Sequence, residues 1–440
     1  MKAIKTHYTL CFVVMLCFTA CNSFLDEPVP EQSLPSENAF ATAKDLENHL
    51  IGGYSAFKLA GFFGCDVVMC SDLLADNGEW RGPFAYYKEI YRHEIGEDNV
   101  EVNAMWRDGY RAINQANLVM AAIDSIKDPL LTPSLSNQYK GEALFIRAVA
   151  HFELVRYFGL PFGENSSHDP GVPIMTEGTA RPEDITYPSR NTVKEVYDKA
   201  IADLLLAVDL LPAFTDEGRA NRFAALGYLA EIHFQMRDYA PAADFAQQVM
   251  TGPYKLTTSP EDFFITEDGD EEIWCVKETS QDNPGRNASL AAFYHVRGFG
   301  GAVVVTSDLD TNGFKKIVPG FQRIDIEQDS LNVIDLRAST LTSSTVPPAI
   351  NVNKYEDYVL FSDDAPILRL AKFILMRAEA LARIDTSIIN PDAIDLLNQI
   401  RVRAIRVIDS TGTPAPNGDD YIRFKTGDFA NAGELIEAII

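Results

Sequence analysis

The sequence predicts a mainly α protein: a degenerate, tetratricopeptide-like stack of helical hairpins with an irregular, loop-rich insertion carrying short β-strands. Three observations point there. Residues 141–158 read as a helix that is apolar on two sides. Residues 224–243 alternate small and aromatic side chains in the manner of a paired-helix repeat. Residues 254–362 lose helical periodicity and fill with prolines, glycines and Asp/Asn/Ser clusters.

The first segment organises the others. At about 100° per residue, Glu142, Glu153 and Arg156 fall on one side of the helix, with Arg147 and His151 roughly opposite. The positions between are Leu, Phe, Ile, Val or Ala. A surface helix has one apolar stripe. Two stripes place this one between two neighbours, as inside a helical stack. Gly159 suits a left-handed residue just past the helix end, and Pro161 forbids continuation.

In chain order, residues 1–20 have a basic start and an apolar run from Leu10 to Phe18. That run is shorter than the roughly 20 residues that span a bilayer and fits a secretory signal. Thr19-Ala20 before Cys21 resembles a bacterial lipobox, with cleavage before Cys21 and acylation of it. Residues 21–38 contain Pro28, Pro30 and Pro35 and read as an extended tether. A helical region then runs over 39–253. Its helices are Thr42–Leu59 (weakened by Gly52-Gly53), Val102–Ile126, the helix of residues 141–158, Thr192–Leu211, Arg219–Met236 and Tyr239–Met250. Residues 61–96 read as a loop-rich, aromatic stretch, and Pro129 and Pro133 as stops before the central helix. Within 254–362, Ile273–Val276 and Ala302–Thr306 lean towards strands. Helices resume over 363–440, at Pro366–Ile384 and Asp392–Arg406. The chain closes on Glu434–Ile440, a helix start without a stop signal and without foreseeable packing partners.

Composition narrows the function. Hydrophobic residues are 46% and charged residues 23%, ordinary for a globular chain. The 63 acidic residues exceed the 38 basic ones, for a net charge of −25. Removal of Lys2 and Lys5 with the signal would bring it to −27 (−25 − 2). That field repels phosphate backbones and argues against nucleic-acid partners. Cys65, Cys70 and Cys275 are the cysteines beyond the N-terminus. Three thiols make no complete disulfide framework, and small buried thiols are the favoured reading. No Gly-x-Ser-x-Gly elbow, P-loop or His-Glu-x-x-His occurs, and carboxylate pairs carry no signal among so many acids. No cofactor is implied. The acidic clusters Glu267–Glu272 and Asp363-Asp364 offer oxygens of the kind calcium takes, yet lack the EF-hand pattern and read as solvated charge.

The ordered motifs resemble one family. They are Cys21-Asn-Ser-Phe-Leu-Asp-Glu27; Trp106, Tyr110, Ile113 and Ala116-Asn117; Gly141-Glu-Ala143 through Arg147 and Phe152 to Phe158-Gly159; Asp203-Leu204 through Leu211-Pro212; Gly218-Arg219; Leu229-Ala230 with Asp238-Tyr239; Asp335-Leu-Arg337; Arg369 with Met376–Ala380; and Asn398 with Arg401. Together they resemble the SusD/RagB outer-membrane nutrient-binding lipoproteins of Bacteroidetes. The resemblance implies a cell-surface lipoprotein, anchored to the outer membrane through Cys21 and facing the exterior. It implies a non-catalytic protein that binds an oligosaccharide and delivers it to a SusC-like TonB-dependent transporter. Family chains continue beyond the point matched by Ile440, so a truncated chain is expected. The competing reading is a tetratricopeptide-like scaffold for a protein or peptide, with no sugar site of its own.

A sugar site needs aromatic faces for the pyranose C–H surface and polar groups for its hydroxyls. The 72–91 stretch supplies both: Trp80, Tyr86 and Tyr87 beside Asp72, Asn77 and Arg81. Trp80, flanked by Asn77, Gly78, Arg81 and Gly82, is the first choice, against the alternative that these aromatics only anchor a loop. Asn283 and Arg286 form a second rim. Trp106 and Trp274 read as core.

Overall fold

The structure, a computed structural model, describes residues 40–215, 218–265, 269–307, 332–340, 342–346, 349–408, 413, 414, 418 and 422–440. Cys21, the signal 1–20 and the tether 21–38 lie outside the described residues. The helices begin where short polar side chains cap them. Thr42 closes a capping box with Asp45 ahead of α1 (Ala43–Lys58). Next come α2 (Asp66–Leu74), β1 (Gly78–Trp80) and α3 (Ala85–Tyr91). Asn99 caps α4 (Val100–Ala122), and Thr132 caps α5 (Pro133–Phe158). Thr192 forms a capping box with Glu195 on α6 (Val193–Leu210), and Asn221 caps α7 (Arg222–Gln235). Helix α8 (Tyr239–Met250) follows after a tight turn, with Arg237 at φ 60°.

Beyond α8 come the short α9 (Asp262–Ile265), β2 (Glu272–Val276), α10 (Leu290–Tyr294) and β3 (Val303–Val305). Then follow β4 (Asn332–Asp335), α11 (Leu336–Thr340), β5 (Thr342–Val346), β6 (Ala349–Val352) and β7 (Ala365–Arg369). The chain finishes with α12 (Leu370–Ile384), α13 (Pro391–Ala404), β8 (Ile405–Ile408) and α14 (Ala432–Ile439).

Consecutive helices pack as neighbours from α4 through α8, α1 lies against α4, and α12 packs on α8 and on α13. The stack is therefore continuous in space across 254–362, because that segment leaves the array after α8 and re-enters at α12. Its strands β2 to β6 join β1, β7 and β8 in three antiparallel units: β1-β3-β6-β5, β2-β7 and β4-β8. Small residues permit the close helix approaches. A Cβ on Gly53 would meet Ile146 at 3.0 Å, and one on Gly227 would meet Phe373 at 2.7 Å. Gly52-Gly53 thus weakens α1 locally while letting it dock.

Helix α5 is the centre of the stack, buried without a break from Gly141 to Val155. Its two polar lines are answered by different neighbours. On one, Arg147 makes a two-pronged pair with Asp203 of α6 (2.8 and 2.9 Å) and donates to Asn117 of α4. His151 bonds through Nδ1 to the Arg147 carbonyl and accepts the Met175 N–H at Nε2, which fixes the Nδ1–H tautomer. On the other, Glu142 accepts from Arg219, Tyr54 and Gln138, and Glu153 pairs with Arg156.

Several local expectations are corrected. Helix α5 starts at Pro133, not Gly141. Proline fits a first helical position whose N–H is unused, so Pro133 opens this helix and stops nothing. Gly159 is extended (φ −107°, ψ 172°), not left-handed, and its N–H still bonds the Val155 carbonyl. Residues 61–96 contain α2, β1 and α3 where loop was expected. Pro366 lies in strand β7, paired with β2, and the helix waits until Leu370. The last helix does have partners: Leu435, Ile436 and Ile439 join Leu370, Ile374 and Leu397 in a second hydrophobic core. All three described cysteines are free and buried.

Candidate functional site

The 72–91 stretch is held against the insertion by backbone pairing. Gly78, Glu79 and Trp80 face Val305, Val304 and Val303 across the β1–β3 ladder. This ladder places α10 beside α3 and creates an aromatic cluster from residues far apart in sequence. Trp80 lies 4.9 Å from Tyr87 and 5.7 Å from Phe293, ring centre to ring centre. Phe84 adds Phe293 (6.1 Å) and Phe299 (5.3 Å), and Tyr86 stacks on Phe84 at 5.5 Å and 18°.

This geometry overturns the leading role given to Trp80. Only 5% of Trp80 is exposed, its faces are covered, and its Nε1–H is buried without a hydrogen-bond partner. Tyr87 is likewise buried and donates its hydroxyl to Asp66 (2.8 Å), while burial pushes its phenol well above the usual range. Both residues form the floor beneath the surface. Glycine and polar neighbours in the sequence suggested exposure for Trp80. The ladder to β3, invisible in the sequence, turns it inward. Trp274 is core as expected, and Trp106 is half-buried between Tyr110, Phe158 and Arg190.

The remaining candidates divide into two groups. On the outer side, Tyr86, Phe84 and Phe299 are half-buried, and the exposed Arg286 lies 5.7 Å over the Phe299 ring. Arg81 is exposed and forms a two-pronged pair with Glu79 (both 3.0 Å). Asn283 is taken up by its own loop: it donates to the Thr279 and Leu360 carbonyls and accepts from Gly285. Its role is therefore to shape the rim. Nearby, His295 stacks on Tyr358 (4.6 Å, 11°), whose hydroxyl accepts from Arg297.

On the inner side, Asp72 and Asn77 line a cavity of about 280 Å³. Asp72 accepts the Tyr294 hydroxyl at 2.5 Å. Other lining residues are Val303, Val305 and Tyr355, and the basic side chains Arg337, Lys354, Arg369 and Arg403. Burial pulls both Lys354 and Arg369 below their ordinary values. Sequence reasoning missed this cavity, because its basic residues come from four separate elements or loops. Arg337 and Arg369 were noticed only as parts of motifs. The acidic pair Asp363-Asp364 is engaged within the protein: Asp363 accepts the Asp357 N–H, and Asp364 pairs with Lys277 (2.8 Å). Among the described residues, Glu272, Cys275 and Asp364 form the one cluster with metal-ligand spacing, and Lys277 already sits against both of its carboxylates. No helix among the described residues is long and apolar enough to cross a membrane.

The architecture is a helical-hairpin stack that carries an aromatic surface on an inserted loop-and-strand region. Comparison with known proteins adds likenesses in sequence and in fold. A SusD-like family model, described as starch-binding and associating with the outer membrane, matches residues 24–234. SusD-like protein P2 of Formosa agariphila is 29% identical over 249 residues, which is 55% of this chain and 46% of that protein. The chain thus spans about half the length of that relative. SusD-like protein P38 of the same organism is 22% identical over 94% of this chain and 85% of its own length. Among solved structures, a SusD superfamily protein from Bacteroides fragilis superposes with a TM-score of 0.71 at 21% identity, covering 91% of this chain and 86% of the other. A SusD-like carbohydrate binding protein from Bacteroides vulgatus gives 0.66 at 20% identity, covering 91% and 79%. Over residues 24–234 the chain is similar to SusD-like proteins, and its mainly helical fold is the one these structures share.

Proposed function

We propose that this protein is a non-catalytic glycan-binding lipoprotein of the outer membrane. In this reading it is anchored through Cys21, faces the exterior and passes oligosaccharides to a SusC-like TonB-dependent transporter. The observation that carries the reading is the half-exposed aromatic surface of Phe84, Tyr86 and Phe299, set beside Arg286 and Arg81. Flat apolar rings with guanidiniums at their edge supply both halves of sugar recognition, the C–H face and the hydroxyls. Likeness to SusD-like proteins supports carbohydrate as the ligand class. Tyr86, Arg81 and Arg286 are the proposed contacts, Asp72 and Asn77 extend the surface inward, and Trp80, Tyr87 and Asn283 hold it in place.

A glycan array on the full chain, followed by titration calorimetry of Tyr86→Ala with the best ligand, tests the site. A loss of at least tenfold in affinity with an unchanged melting temperature is the expected result. Equal affinity would remove this surface from the site. Radiolabelled palmitate that still enters a Cys21→Ala variant would remove the anchor.

A further inference from the structure

We infer that the inner cavity, between the β1–β3 ladder and the β7–α12 corner, is an anion site. It takes one carboxylate or sulfate half-ester carried on an acidic sugar unit, with Arg369 as the main counter-charge. The sugar part of this inference rests on the proposed glycan-binding function; the anion part does not.

The cavity measures about 280 Å³, at the lower end of the roughly 300–1,000 Å³ of small-molecule pockets. That suits a single sugar unit. Its basic lining is unusual in a chain of net charge −25. Three of the four cations have an acid to answer them. Arg337 is paired with Asp335 in a two-pronged contact, Arg403 with the fully buried Glu271, and Lys354 feels the field of Asp72. Arg369 has no ion pair among the described residues, and the Glu271 whose field it feels is already paired with Arg403. Arg369 packs over the rings of Phe263 and Phe264 (5.3 and 5.5 Å), and its Nη1 is buried with no hydrogen-bond partner. The Arg403 Nε is likewise buried and unpartnered, on a side chain only 7% exposed.

Leaving charged donors buried and unanswered is costly. Among the described residues the lining therefore carries one positive charge more than the acids around it balance, and it has unpartnered guanidinium N–H groups. The planar fork of a guanidinium matches the two oxygens of a carboxylate or sulfate. Tyr294, Tyr355 and the valines give the sugar ring an apolar wall. Asn77, which is exposed, lies at the cavity's outer side.

The test is calorimetry of the full chain with glucuronate, glucose and inorganic sulfate at low and high salt. Glucuronate should bind at least tenfold tighter than glucose, weaken with salt, and lose its advantage in Arg369→Gln. Should Arg369→Gln fail to fold, Lys354→Met serves as the second variant, with a several-fold loss for glucuronate expected. Equal binding of glucuronate and glucose by the unaltered protein would overturn the anion site while leaving the glycan reading intact. Sulfate bound as tightly as glucuronate, with no glycan captured on an array, would keep the anion site but overturn both its sugar assignment and the proposed function. An Arg369→Gln protein that folds and keeps the preference would also overturn the inference.

Discussion

The helical stack and the loop-and-strand region bury charge in different ways. In the stack, Arg147 and Asp203 pair across adjacent helices, Glu142 is met by Arg219 from the loop before α7, and Glu153 by Arg156 one turn along the same helix. Exceptions there include the Tyr228 hydroxyl, Arg377 Nε and Arg403 Nε. In the loop-and-strand region, Trp80 Nε1, Arg369 Nη1 and both oxygens of Glu278 are buried with no partner. Helix seams repeat regularly, so opposite charges can be placed a turn apart and answered. Irregular loops offer no such lattice, and polar groups are left over where they enclose space. The difference separates a part of the molecule that holds shape from a part available to bind.

Mutations should break this comparison cleanly if it is wrong. The largest effect is expected for Arg147→Ala, which strands the buried Asp203 with only Lys199 as partner. A loss of about 3–5 kcal/mol in urea denaturation is expected. Phe152→Ala, at a fully buried ring on the same helix, should cost a similar ~3–5 kcal/mol without altering glycan preference. A folded Phe152→Ala protein with switched specificity would show that the stack does more than hold shape. Trp80→Ala should behave like a core mutation, losing stability by about 3–5 kcal/mol, whereas Tyr86→Ala should lose affinity and leave the melting temperature nearly unchanged.

One buried group from each region should respond to pH with opposite signs. Burial lowers His151 to about 4 in the fold, against an ordinary 6.5. Unfolding therefore takes up a proton between these values, and the stack loses stability as pH falls through that window. Burial raises Glu278 to about 9, against an ordinary 4.5. Unfolding then releases a proton, so the stability held at low pH is lost as pH rises from 4.5 through 9. Glu278→Gln should flatten the alkaline limb of a melting-temperature profile, and His151→Gln the acid limb. An unchanged alkaline limb in Glu278→Gln would show that this acid is not the source of the loss. The smallest effect is expected for Arg81→Ala, whose exposed pair with Glu79 is worth about 0–1 kcal/mol. A larger loss would place Arg81 in the structural region after all.

Local chemistry was sufficient to recognise the helical array. Caps such as Thr42, Asn99, Thr192 and Asn221, the glycines that allow close approach, and the double-sided helix of Arg147 and His151 all act within a turn or two of sequence. The mainly α class and the family likeness follow from that. What the sequence left open depends on contacts between distant segments. The pairing of Trp80 with Val303 decides that the tryptophan is floor and not surface. Pairing with β2 makes Pro366 part of a strand, and the second core gives the last helix its partners. The cavity is assembled from Asp72, Lys354, Arg369 and Arg403, which share no local signal. Helix formation is governed by neighbours along the chain, so it can be read from the sequence. The orientation of a loop aromatic, or the convergence of four cations, is set by which segments meet in space, and only the tertiary structure decides that.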